Sequence, residues 1–176
     1  MAAVLPLLVA AAAATQLPAD AELTGLYESA CQKGEAPGPD FVPVSAGEIP
    51  DDIAHFYIGP QEGRYWRRAE PLPAFVAQTR GPGHWGGEEA YCTVAVRGAG
   101  FDTIAAYYVR RLEAPYAMRN GHLLTERLWG MTRAAINGRD GHHFVVVDQR
   151  PDHWVSLTTG GPVLPAGQTS RRIEGN

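Results

Sequence analysis

The chain has 176 residues, 45% of them hydrophobic, enough to build one packed domain and to leave a processed segment over. A formal charge of −4 at pH 7 excludes the basic surface that displacing counterions from nucleic-acid phosphates requires. Lys33 is the single lysine among 15 basic residues, and Gly and Pro are plentiful; a GC-rich coding sequence explains that bias without any anion-binding role.

Ala2 to Ala14 is an uncharged run of alanine, valine, leucine and one proline. As a helix it spans roughly 20 Å, short of a ~30 Å hydrocarbon core, so it suits the apolar centre of a secretory signal peptide better than a membrane span. Small residues fit for cleavage follow at Ala12 and Ala14, and again at Ala19 and Ala21. The sequence favours the second site, giving a leader over 1–21 and one domain over 22–176, because charged and periodic sequence starts beyond Ala21. No Lys or Arg precedes the apolar run, a departure from the usual leader. The competing reading, a buried N-terminal helix, is weakened by the lack of any polar face. Lipidation is excluded because the first cysteine, Cys31, follows Glu28-Ser29-Ala30 far past the apolar run.

Leu23, Leu26, Tyr27, Ala30 and Cys31 recur at helical spacing and place Cys31 on the buried face. Residues 35–43, with three prolines, form a loop. Ile49-Pro50-Asp51-Asp52-Ile53 starts a second short helix, with Ile53, Phe56 and Tyr57 inward and Gly59-Pro60 as its stop. Strands follow over 64–68 and 74–78, then a glycine-rich loop over 81–87. Residues 90–96 form a central strand in which Cys92, Val94 and Val96 share the core face. Phe101, Ile104, Ala105, Tyr108, Val109 and Leu112 make the clearest helix, with Asp102 as candidate N-cap and Pro115 as its end. Residues 119–136 are ambiguous; a strand from Glu126 into the turn at 137–141 fits best. Strands over 143–148 and 153–157 close the domain, and the tail after Gly160 is turn-rich.

The fold class this implies is α+β: an antiparallel sheet of five to six strands with two or three helices on one face, closed by one disulfide. Cys31 and Cys92 are the only cysteines, and in an exported chain they pair with each other. No Cys-x-x-Cys and no adjacent cation argues for a reactive thiol instead.

No assembled chemistry is legible. His142 and His143 point to opposite faces of their strand, and His55, His84, His122 and His153 are scattered, so no metal site and no cofactor is expected. Asp148 and His153 could form a dyad across a hairpin, but no nucleophile accompanies them: Ser156 is three residues from His153, on the opposite face, and no Gly-x-Ser-x-Gly elbow exists. An exposed charge pair beside a turn is the simpler reading. Tyr65-Trp66-Arg67-Arg68 alternates its aromatic and basic groups between two faces and covers sheet surface. Gly81-Pro82-Gly83-His84-Trp85-Gly86-Gly87 lacks the lysine of a phosphate loop, yet its glycines admit a close backbone approach and Trp85 offers a stacking face. His84 and Trp85 are therefore the candidate binding residues.

The expectation is a periplasmic or secreted, non-enzymatic domain that binds a small ligand or an envelope protein, with no nucleic-acid partner and no membrane span after processing. The rival is an envelope hydrolase assembled from dispersed His84, Asp148 and His153.

Overall fold

The computed structural model describes residues 18–49, 62–82, 87–114, 116–128, 130–139 and 143–162. The expected helix carrying Ile53, Phe56 and Tyr57, the His84–Trp85 pair, His55, His142 and the tail lie outside these residues.

The architecture is α+β. Strands β1 (Val42–Val44), β2 (Glu62–Arg68), β3 (Ala74–Pro82), β4 (Glu88–Arg97), β7 (Glu126–Leu128), β8 (Met131–Asn137), β9 (Phe144–Gln149) and β10 (Trp154–Pro162) form one sheet of eight, in the order β1-β2-β3-β4-β10-β9-β8-β7. Every pairing in it is antiparallel. Strands β5 (Met118–Arg119) and β6 (His122–Leu123) make a separate two-stranded ribbon. The longer helical segments are α1, residues 18–26 running into a wide π-turn over Tyr27–Gln32, and α2, Phe101–Arg111.

The sheet exceeds the five to six strands expected from sequence because both of its edges were hidden. At one edge β1 carries Pro43 opposite Trp66 and stands where a loop was expected; an edge strand tolerates the missing N–H. At the other edge, the single strand expected from Glu126 is folded back as the β7–β8 hairpin, with Gly130 at φ 80 supplying the left-handed turn.

Both helices pack on one face. Leu23, Leu26, Tyr27 and Ala30 of α1, with Ile104, Ala105 and Tyr108 of α2, meet Val76, Val94, Val96, Val147, Val155, Leu157 and Ile136 in one buried core. The period-two reading of β4 holds, since Cys92 lies on this face with the valines. Cys31 at the π-turn reaches it: the Cys31–Cys92 disulfide spans a Cα–Cα distance of 5.3 Å and ties α1 to the centre of the sheet. Arg68 adds a second tie from β2, with ion pairs at 2.8 Å to Glu22 of α1 and at 2.8 Å to Asp40, and its guanidinium over the Phe41 ring.

Asp102 does not cap α2. The N-cap is Gly100, with no side-chain cap of its own, and its N–H is held at 2.6 Å by Asp20 Oδ1 of α1. A carboxylate from eighty residues upstream thus sits at the positive end of the helix dipole, a contact that no local spacing encodes. Asp20→Ala is expected to cost about 1 kcal/mol of unfolding free energy, measurable as a lower urea midpoint; an unchanged midpoint removes the cap from the stability of α2.

Candidate functional site

Two clefts open on either side of the disulfide, and Cys31 and Thr159 line both. The larger, of about 1280 Å³, lies at the end of the sheet where β2 begins, β3 and β10 end and β4 begins. Its walls combine Arg64, Arg80, Glu62 and Glu88 with glycines 63, 81 and 160 and Tyr91. Gly160 is required here because Tyr91 lies against it: a Cβ at 160 would stand 2.2 Å from the Tyr91 ring. The Tyr91 hydroxyl hydrogen-bonds the Glu89 carboxylate, which with burial pushes its pKa up to about 12. Gln78 closes the helix side by donating to Ala30 O at 2.8 Å, while Arg64 donates to its Oε1 at 2.6 Å.

Gly81 and Pro82, at the end of β3, and Glu88, at the start of β4, line this cleft. The candidate residues His84 and Trp85 lie outside the described residues.

The second cleft, of about 850 Å³, runs between the π-turn, the C-terminal end of α2 and β9. Tyr27 and Tyr108 meet edge to face in its wall, 5.4 Å between centroids. Arg111 stands beside them, hydrogen-bonded to Glu28 and Tyr107 and stacked over the Tyr107 ring. Burial raises the Tyr27 pKa against the lowering effect of its hydrogen bond to Thr159, and burial raises that of Tyr108 further.

The opposite face of the sheet holds a feature that sequence reasoning missed. Phe75, Ala77, Ala95, Tyr65 and Ile49 form a second apolar cluster there, and beside it runs a buried polar row. Thr93 and Thr158 share a hydroxyl hydrogen bond of 3.0 Å. Asp148, fully buried, accepts from Arg133 Nε at 2.8 Å, and Arg150 Nε donates to Ser156 Oγ at 3.4 Å. Burial raises the Asp148 pKa, outweighing the opposing pull of Arg133 and Arg150. The available signal was the placement of Arg133, Asp148 and Ser156 at matching positions on three neighbouring strands, visible only once register is known.

That register also corrects the hairpin. Asp148 pairs with Ser156, not His153, because residues 151–153 form a 3-10 turn between the strands, with Asp152 and His153 at positive φ. Asp148 is therefore no exposed partner of a turn histidine: its carboxylate is buried against Arg133, while His153 is exposed. Ser156, expected to face nothing of use, sits directly across from Asp148 but is fully buried. Among the described residues, no three His, Cys, Asp or Glu side chains gather into a metal-binding group, and no helix is long and apolar enough to cross a membrane.

No family model, curated protein or solved structure matches the chain. Any functional reading therefore rests on the clefts and the covalent tie between them.

Proposed function

We propose that the chain is an exported, non-enzymatic domain that binds a small ligand in the cleft at the end of the sheet. The observation that carries this reading is the position of that cleft. It lies against the Cys31–Cys92 bridge, and its walls mix side chains of both signs with bare glycine backbone. Ligand sites of this kind use a concave surface with a few fixed polar groups and places where a backbone can come close. A crosslink to the neighbouring turn keeps such a wall in place. His84 and Trp85 fall in sequence between Pro82 and Glu88, two residues of the cleft lining, and remain the residues expected to meet the ligand.

Export is supported by the disulfide, which persists in oxidising compartments, and by the apolar run before residue 15. The packing favours the earlier processing site. Ala19 is fully buried and Asp20 holds the start of α2, so cleavage after Ala21 removes two working residues, whereas cleavage after Ala14 keeps both. The mature chain is expected to begin at Thr15; an intact mass beginning at Glu22 refutes that boundary.

The binding reading is tested with a small-molecule extract of the source cell envelope, followed by thermal unfolding. The extract is expected to raise the Tm of the wild type by mass action and to leave Ala90→Trp, which fills the cleft, unshifted. Equal shifts in both proteins, or none in either, defeat it.

A further inference from the structure

The cleft at the end of the sheet has a charged floor that strand register lays out. Glu62 and Arg64 of β2, Gln78 and Arg80 of β3, and Glu88 and Cys92 of β4 fall at period two, on the face that turns Cys92 toward Cys31. Glu62 stands directly across from Arg80 and Arg64 across from Gln78, so Arg64 and Arg80 are diagonal neighbours with Glu62 beside both. Glu88 lies diagonally from Arg80 on its other side. All six line the cleft, and the four charged side chains are exposed, so a ligand can reach them.

These charges are not spent on one another. Among the described residues, Glu62, Arg80 and Glu88 form no ion pair. Arg64 is held in place without being used up. It donates to Gln78 Oε1 at 2.6 Å and lies 5.5 Å from the centre of the Trp66 ring, while Gln78 donates to Ala30 O at 2.8 Å. Most of the guanidinium donors remain for a ligand. The mixture of signs also selects. A lone anion between Arg64 and Arg80 meets the Glu62 carboxylate, and a lone cation beside Glu62 meets two guanidinium groups. A molecule that carries both charges satisfies both sets at once.

We propose, building on the binding role of this cleft, that its ligand is a small zwitterion with one carboxylate and one ammonium group, the chemistry shared by free amino acids and short peptides. The carboxylate lies between Arg64 and Arg80, which hold it by charge-assisted hydrogen bonds. Glu62, beside both arginines, takes the ammonium of an amino acid; Glu88, one strand farther from Arg64, takes that of a peptide.

Calorimetric titration of the oxidised protein with L-alanine and with tri-L-alanine tests this and separates the two sources. At least one is expected to bind, and its N-acetylated and C-amidated forms each to bind about fivefold more weakly or worse. Arg80→Gln removes an exposed side chain with no ion pair to lose, so its Tm is expected to hold while zwitterion affinity falls about fivefold. The carboxylate variant that matches the ligand, Glu62→Gln for alanine or Glu88→Gln for the tripeptide, is expected to weaken the zwitterion and to leave its N-acetylated form unaffected. A merely structural role would weaken both. Arg139→Gln, in the other cleft, is expected to bind like the wild type. Absence of binding by either zwitterion at millimolar concentration overturns the proposal, as do blocked forms that bind equally well or full affinity in Arg80→Gln. Should the envelope extract still stabilise the wild type and not Ala90→Trp, the cleft keeps its binding role and only the zwitterion falls.

Discussion

Replacing both cysteines, as Cys31→Ala with Cys92→Ala, is expected to lower the unfolding free energy by about 4 kcal/mol. The bridge closes a separation of 61 residues, and a crosslink of that span removes much of the unfolded chain's freedom. Against the ~5–15 kcal/mol typical of a domain, such a loss leaves a marginal protein. The native state contributes as well. The bridge pins the π-turn beside the base of both clefts, so the reduced protein is expected to lose structure first at α1 and only later in the central strands. Urea unfolding with and without a thiol reductant gives the magnitude, and amide exchange gives the order. A reduced wild type with an unchanged midpoint would mean that packing of Leu23, Leu26 and Tyr27 alone holds α1 down.

Arg133→Met is expected to be nearly as damaging at neutral pH, at about 3 kcal/mol. Asp148 is fully buried and Arg133 one-fifth exposed, with 2.8 Å between them. Removing the cation leaves a carboxylate in a dry site with Arg150 as its remaining compensation. The pH dependence follows from burial, which holds the Asp148 pKa above the ordinary 3.8 even with Arg133 present. A raised folded-state pKa means that the folded state takes up a proton more readily than the unfolded chain. The stability tied to this proton is therefore complete below about pH 3.8 and is lost as pH climbs through the folded-state value. Without Arg133 that value moves higher still, so the deficit of Arg133→Met is expected to shrink steadily on acidification. Asp148→Asn, neutral at every pH and still able to accept from Arg133, is expected to stay within about 1 kcal/mol of the wild type at pH 7 and to flatten the acid limb. Denaturant titrations across the acid range check both variants. A deficit for Arg133→Met that does not change with pH would show that Asp148 is not its source.

How far the sequence carried can be seen residue by residue. Helical spacing in Leu23, Leu26, Tyr27 and Cys31 and alternation in Cys92, Val94 and Val96 turned both cysteines inward, and the bridge between them follows. The stripe from Phe101 to Leu112 marked α2 to within a residue of its end. These patterns are legible because burial on one face repeats at the period of the element itself. Strand β3 was harder: Phe75 and Ala77 are buried on the face away from the helices while Ala74 and Val76 are buried on the other, so alternation there conveys no direction. The hairpin between β9 and β10 was misjudged for another reason: Asp152 and His153 adopt left-handed conformations that glycine would have advertised and they do not.

By itself, the amino-acid sequence determined the α+β class, the inward aim of both cysteines and the helices that cover one face, since each follows from local periodicity and from the count of two sulfurs. Tertiary structure alone decided that Asp20 caps a helix eighty residues away, that Asp148 meets Arg133 rather than His153, and that Tyr27 and Tyr108 converge in one cleft. Strand register and helix placement bring those groups together across long separations, and no local pattern along the chain records them.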